Sequence, residues 1–357
     1  MGNPITPESK SELFANLQGM NRILEDPNYQ AWGTSPIYDE DGRVHVFYSR
    51  WITEASHYGW VMCCEVAHAV ADKPEGPYEF VDVALKGRGG DAWDSWSIHN
   101  PTIHKVGDKY ALFYMGSDGS SFDKTMEELI ELSRTDKEAY WPYFEKLVST
   151  KRVGLAVADS LNGPWRRVAD ERPLVETGPE GSWDDYCTTN PAFLLQPNGE
   201  CWLYYKAWSR ATQETCHGNR QYGLAIAKDL EGPYEKVGNG PIVDLSYLGN
   251  NEQCEDAYLF VMDDKVHMVM RDMGYYDHTV GLHFTSEDGL KWGTPKVAYT
   301  GAPDYFDEPL PGLDREGRFE RPQILMKDGK PECLFCAYVG GKYNTSSAAV
   351  LKFNNDK

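Results

Sequence analysis

The sequence predicts an all-β fold, a five-bladed β-propeller with a short N-terminal helix and a helical insertion in the second blade; three observations lead there. First, a polar cluster opening an apolar strand recurs five times, as Thr34-Ser35-Pro36, His99-Asn100-Pro101, Thr189-Asn190-Pro191, Glu255-Asp256-Ala257 and Glu320-Arg321-Pro322. Second, each cluster leads through a turn at Gly or Asp into a return strand: Val46-Phe47-Tyr48, Leu112-Phe113-Tyr114, Leu203-Tyr204-Tyr205, Met268-Val269-Met270 and Leu334-Phe335-Cys336. Every repeat therefore carries a hairpin. Third, the cluster ends, from Pro36 through Pro101, Pro191 and Ala257 to Pro322, are separated by 65, 90, 66 and 65 residues. A sandwich has no reason to keep that period, whereas a ring of blades does.

In chain order, residues 1–30 are expected to form a helical extension, because Leu13, Leu17, Met20 and Leu24 fall at helical spacing between Pro7 and Leu24. Residues 31–357 then form one propeller. In four repeats a further strand follows the hairpin, at Glu65–Ala71, Gly154–Ala158, Gly223–Ala227 and Gly281–Thr285. These lead to turns at Gly76-Pro77-Tyr78, Gly163-Pro164-Trp165, Gly232-Pro233-Tyr234 and Gly289-Leu290-Lys291-Trp292, which allow four strands per blade. The long step between blades two and three holds a Glu-, Lys- and Leu-rich insertion, Phe122 to Arg152. Within it, Lys124 to Arg134 reads as a helix that could wall one side of a site. The fifth repeat is short, so Tyr29–Trp32 or Ala348–Phe353 has to complete its blade.

Composition narrows the function. The chain has 357 residues, 41% hydrophobic and 13% aromatic, enough for a large core. Its 22 Tyr and 11 Trp exceed what a core alone requires, and such rings are also the faces on which sugars stack. A net charge of -20 repels phosphate backbones and anionic membranes, so neither nucleic acid nor membrane is an expected partner. The eight cysteines show no disulfide or zinc spacing, and the Cys333/Cys336 pair lies in an apolar run that reads as core packing. No stretch approaches the roughly 20 apolar residues of a membrane span, and no basic-then-apolar leader opens the sequence. The expectation is a soluble protein, periplasmic or cytoplasmic if bacterial, with the N-terminal helix available for a homo-oligomer contact.

The first strand of every propeller blade lines the axis, so the five clusters converge on one pocket. Strand alternation predicts that neighbouring residues within a cluster point opposite ways. Arg50, Lys206 and Arg271 end the return strands and, with Arg321, are expected to ring the mouth with cations suited to a carboxylate or sulfate. Glu255, Glu320, Asp256 and His99 are the acid and base candidates, with Asn100 and Asn190 among the hub residues that would hold substrate. Trp32, Trp96 and Tyr275 head a set of stacking candidates that includes Trp93, Trp183, Tyr186, Trp208 and Tyr276. No cofactor is required by this reading; a divalent cation on the axis could be held by His99, Glu255, Asp256 and Glu320.

The five clusters, together with strands running into Gly-Pro-Tyr or Gly-Pro-Trp, resemble the five-bladed glycoside hydrolases of families 43 and 117 from about Trp32 to Phe353. The resemblance implies an Asp base in the first blade, an assisting Asp and a Glu acid. Here the corresponding positions look like Ser35, Asn190 and Glu255, so only the acid matches. Family 117 implies a His acid, a part His99 could take. The expected function is therefore a glycoside hydrolase on an oligosaccharide bearing anionic sugars. A uronate-directed lyase or dehydratase and a non-catalytic carbohydrate-binding propeller are the alternatives.

Overall fold

The computed structural model describes residues 2–168, 171–246, 253–307 and 317–354. After β1 (Leu17–Ile23), the first blade takes β2 (Tyr29–Tyr38), β3 (Val44–Ile52), β4 (Glu65–Ala71) and β5 (Glu79–Leu85). The second takes β6 (Ser97–Val106), β7 (Lys109–Ser117), β8 (Arg152–Ala158) and β9 (Arg166–Val168), and the third β10 (Cys187–Leu195), β11 (Cys201–Trp208), β12 (Gln221–Ala227) and β13 (Glu235–Lys236). The fourth takes β14 (Gln253–Met262), β15 (Lys265–Met273), β16 (Gly281–Ser286) and β17 (Lys296–Val297). In the fifth, β18 (Glu320–Lys327), β19 (Lys330–Gly340) and β20 (Thr345–Phe353) are completed by β1.

This closure corrects the N-terminal expectation. Among the described residues, helical structure there is confined to a single 3-10 turn at Pro7–Ser9, and Leu17–Ile23 pairs antiparallel with β20 as the outer strand of the last blade. Burying Ile23 in the seam between blades five and one, with Met20 and Leu24 packed beside it, overrides a helical spacing that fits either structure. Tyr29–Tyr38 is the inner strand of blade one. A ribbon drawn from both ends of the chain ties the ring shut without leaving the outer edge of β20 unpaired.

The cores lie between blades. Phe47, Val66 and Leu85 of blade one interlock with Ile103, Leu112 and Tyr114 of blade two, and four equivalent clusters fill the other seams. Cys333 and Cys336 are buried free thiols of such seams, as expected. Trp93 stacks on Tyr114 and Trp183 on Tyr205, whose hydroxyls donate to Asp94 and Asp184 at 3.0 and 3.1 Å. These two tryptophans are blade packing, repeated in neighbouring blades.

Each inner strand carries a β-bulge at its polar cluster. The register passes from Trp32↔Ser49 to Ser35↔Phe47, from His99↔Met115 to Thr102↔Phe113, and likewise at Thr189/Ala192, Glu255/Tyr258 and Glu320/Gln323. The residue after each first partner is left-handed: Gly33, Asn100, Asn190, Asp256 and Arg321 have φ of +60, +50, +43, +64 and +53°. Gly, Asn and Asp adopt this region readily; Arg does not, at a cost of about 1 kcal/mol. The bulge also shifts the first repeat. Its hub residue is Gly33, two positions ahead of the place that Pro36 suggested.

Candidate functional site

A cavity of about 1150 Å³ opens where the five inner strands begin. Its roof is the predicted insertion, which folds as two helices, α2 (Met126–Thr135) and α3 (Lys137–Ser149), after a short α1 (Gly59–Met62) in blade one. Thr125 and Glu128 form a capping box at the start of α2, and the Asp136 side chain accepts from the Ala139 amide to start α3. Leu129, Tyr140, Leu147 and Val148 bury one face of this hairpin against Val61, Met62 and Trp208, which fixes it over the axis. Aromatic walls come from Trp32, Trp51, Trp60, Trp141, Phe144 and Trp208.

The floor comes from the bulges. Because a left-handed residue turns the strand, consecutive residues need not alternate, and both Glu255 and Asp256 line the cavity, as do Asn100, Asn190 and Glu320. The expected opposite orientation of neighbours is overturned at Glu255/Asp256, whereas at His99/Asn100, Thr189/Asn190 and Glu320/Arg321 one of the two residues lines the cavity and the other does not. Glu255 is gripped by Lys206 at 2.6 Å, Arg271 at 2.6 Å and Arg220 at 3.2 Å. Glu320 takes Arg271 at 3.1 Å and Arg318 at 2.5 Å. Asp256 accepts from the Asn190 side-chain amide and, at 3.2 Å, from the Arg321 backbone N–H.

These contacts drive the two adjacent carboxyls apart. Burial favours the neutral form of both. In Glu255 the charges of Lys206, Arg220 and Arg271 outweigh it and hold the carboxyl well below the usual range. In Asp256 burial, reinforced by the negative charge of Glu255, prevails over Arg321 and Lys206 and lifts the carboxyl to about 6.

Among the predicted cations, Lys206 lines the cavity, and Arg271 holds Glu255 and Glu320 without being part of the lining. Arg321 lies fully buried behind it, donating to the carbonyls of Asn100 and Pro101 at 3.1 and 3.3 Å, bonds that help offset its backbone strain. Arg50 is elsewhere: it pairs with Glu65 at 2.5 Å and sits between the rings of Tyr29 and Phe80, each 4.3 Å away, off the cavity lining. His99 is buried, not among the lining residues; its Nδ1 is 3.1 Å from Ser97 Oγ and its ring meets Trp60 edge-on at 5.2 Å. Burial, then the charges of Lys151, Arg321 and Lys206, keep its imidazole neutral. Trp96 packs edge-on against Phe122 at the base of the insertion, and Tyr275 packs on Tyr276 in blade four. Both lie outside the lining, whereas Trp32 and Trp208 are in it.

Sequence reasoning passed over Lys151, Arg220, Trp51, Trp60 and Trp141, which lie outside the five clusters. Lys151 is buried at the junction of α3 and β8, with its ammonium 5.2 and 5.4 Å from the rings of Trp60 and Trp208. Burial, with Lys206 and Arg220 nearby, presses its ammonium down to about 8 against the opposing pull of Cys187 and Glu255.

Oxygens of Glu255, Asp256 and Glu320 lie within 4.8 Å of one another, a spacing a divalent cation could span. All six carboxylate oxygens already accept from Lys206, Arg220, Arg271, Arg318, Asn190 or the Arg321 amide, so an ion would have to displace donors. His99 is not in that group. No helix of the described residues is long and apolar enough to cross a membrane.

No protein-family model and no curated protein matches the chain. Solved structures do. Zg3597, a family 117 glycoside hydrolase produced by the marine bacterium Zobellia galactanivorans, matches with a TM-score of 0.65 at 17% identity over 96% of this chain and 91% of its own. An exo-1,5-α-L-arabinanase from a bovine ruminal metagenomic library matches with 0.57 at 14% identity, covering 94% and 97%. A thermostable family-43 glycoside hydrolase matches with 0.55 at 13%, covering 93% and 91%. At these identities the likeness establishes the shared five-bladed fold.

Proposed function

We propose that this chain is a carbohydrate-active enzyme that cleaves a glycosidic bond in an oligosaccharide carrying anionic sugars. The observation that carries the reading is the pair Glu255 and Asp256, adjacent on the cavity floor with ionisation displaced in opposite directions. Asp256, partly protonated near neutral pH, is the proton donor to the leaving oxygen; Glu255, held as an anion, stabilises the developing positive charge on the sugar. Glu320 faces the same space as a third carboxylate. His99, expected as an alternative acid, is neutral and off the lining, so the proton falls to Asp256.

Two further features support the substrate class. Six cations (Lys151, Lys206, Arg220, Arg271, Arg318 and Arg321) surround three carboxylates in a protein of net charge -20, so the floor attracts anions although the surface repels them. The indole walls offer apolar faces on which pyranose rings stack.

The spacing of the carboxylates favours a second reading as well. Inverting hydrolysis separates its two carboxyls by about 6.5–9.5 Å to admit water, yet these oxygens lie within 4.8 Å. The first-blade position where the resemblance expects a base is Gly33. Elimination from a uronate needs a base only for the proton beside the carboxylate, not one that activates water across the sugar ring.

Neutral, uronate-containing and sulfated oligosaccharides, incubated with the protein and read by mass, test both readings. Products that have gained one water support hydrolysis, and fragments whose masses sum to the substrate with one unsaturated end support elimination. Asp256→Asn should lower turnover by about 100-fold or more. Binding without turnover leaves a carbohydrate-binding propeller, and neither binding nor turnover across the panel overturns the carbohydrate assignment.

A further inference from the structure

The cations of the floor are not equivalent. Lys206, Arg220, Arg271 and Arg318 each contact Glu255 or Glu320 within 3.2 Å, and Arg321 lies 3.7 Å from Asp256. Lys151 makes no ion pair within 4.0 Å among the described residues. Its backbone is pinned, its N–H donating to Val148 O and its carbonyl accepting from Thr188 N, both at 3.3 Å. Lys151 lines the cavity, and its ammonium lies 5.2 and 5.4 Å from the rings of Trp60 and Trp208. Lys206 and Arg220 approach the same Trp208 ring at 5.7 and 5.3 Å, so three cations gather about one indole while the carboxylate they face, Glu255, is already saturated.

A desolvated ammonium without a carboxylate partner gains more from an entering anion than one already paired, because its desolvation has been met when the fold formed. The indoles place an apolar plane beside that charge. An oxyanion attached to a ring satisfies both features at once, whereas a free inorganic anion satisfies only the first. We propose that Lys151, between Trp60 and Trp208 and beside Arg220, is the subsite that receives the oxyanion of a charged sugar, a uronate carboxylate or a sulfate ester, while the sugar ring lies against the indoles. This assignment rests on reading the cavity as a sugar site, and it adds which residue selects charged over neutral sugars.

The groups facing Lys151 are Lys206 on β11, Arg220 ahead of β12, Glu255 on β14 and Cys187 at the start of β10, with His99 on β6 behind it. The ammonium of Lys151, lowered to about 8, loses its proton between pH 7 and 9.5. Anion binding through it should weaken over that interval.

Calorimetric titration with trigalacturonate, galactose 6-sulfate and neutral galactotriose tests the proposal. The wild-type protein at pH 7 should bind at least one charged probe about tenfold or more tightly than galactotriose; which one distinguishes carboxylate from sulfate. Lys151→Met should abolish that preference and keep galactotriose affinity within about twofold, while Lys151→Arg should retain most of it. Should Lys151→Met fail to fold, the wild-type pH series decides: charged-probe affinity falling about tenfold between pH 7 and 9.5, with galactotriose unchanged, supports the assignment, and a flat series overturns it. An unchanged preference in Lys151→Met, or galactotriose binding at least as well as both charged probes, overturns the subsite while leaving the sugar reading intact. Binding of none of the three overturns both.

Discussion

Replacing Glu255 by Gln removes one negative charge from the floor and nearly preserves its volume, and the ionisation of Asp256 should report the loss. The relevant oxygens of the two residues lie within 4.8 Å. Two unit charges about 5 Å apart at an effective dielectric constant of about 20 interact by roughly 3 kcal/mol, or about 2 pKa units. Asp256, now at about 6, should accordingly drop by about 2 units once its neighbour is neutral, the released Lys206, Arg220 and Arg271 pulling in the same direction. Glu320→Gln should move it less, because the influence of Glu320 on Asp256 is smaller than that of Glu255. Carbon-13 NMR of protein labelled at aspartate carboxyls, titrated from pH 3 to 8, reads the shift without a substrate, and Asp256→Asn identifies the resonance. The reasoning has a defined failure: if Asp256 titrates within about half a unit of its wild-type position in Glu255→Gln, the two carboxyls do not act as a pair, and the acid role of Asp256 loses its basis.

Three other outcomes are expected. Burial lowers His68 and His104 to about 4 and His283 to about 3, so below pH 6.5 the unfolded chain binds protons that the folded one refuses. Their stabilisation is complete above pH 6.5 and is lost as pH falls toward 4, about 2 kcal/mol per histidine at pH 5; urea midpoints at pH 7.5 and 5.0 measure it, and His104→Gln should flatten part of the slope. Arg271→Met removes the partner that Glu255 and Glu320 share, leaving Lys206 and Arg220 on the one and Arg318 on the other, and should cost about 1–3 kcal/mol in denaturant unfolding, with part regained in the double variant Arg271→Met, Glu320→Met. Deleting residues 1–24 removes β1 and bares the edge of β20, so the truncated chain should melt earlier and self-associate in sedimentation, while an unchanged monomer with unchanged melting would deny β1 its closing role.

The repeat was visible in sequence because its cause is local. A left-handed position at four of the five hubs is met by Gly33, Asn100, Asn190 or Asp256, residues that adopt it readily, and the apolar strands behind it alternate as blade seams demand. The first inserted helix, Met126–Thr135, was visible for the same reason, since its cap and apolar spacing are written in neighbouring residues, whereas the second, Lys137–Ser149, emerged only in the structure. The first hub was misplaced by two residues because Pro36 imitates the prolines of the other repeats, and only strand pairing exposes the bulge at Trp32/Ser35. The N-terminal strand was misplaced because its partner, β20, lies at the other end of the chain.

The same division runs through the candidate site. Composition and periodicity determined a ring of five blades whose acidic and basic hub residues, Glu255, Asp256, Glu320 and Arg321, meet near one axis, because strand order and blade period suffice to bring them there. Tertiary structure alone decided that Arg50 pairs with Glu65 off the cavity lining, that His99 is buried outside that lining, and that Lys151 stands between Trp60 and Trp208. Those outcomes depend on side-chain direction at bulges and on segments folded back over the axis. They are set by packing between residues far apart in the chain, which no local pattern encodes.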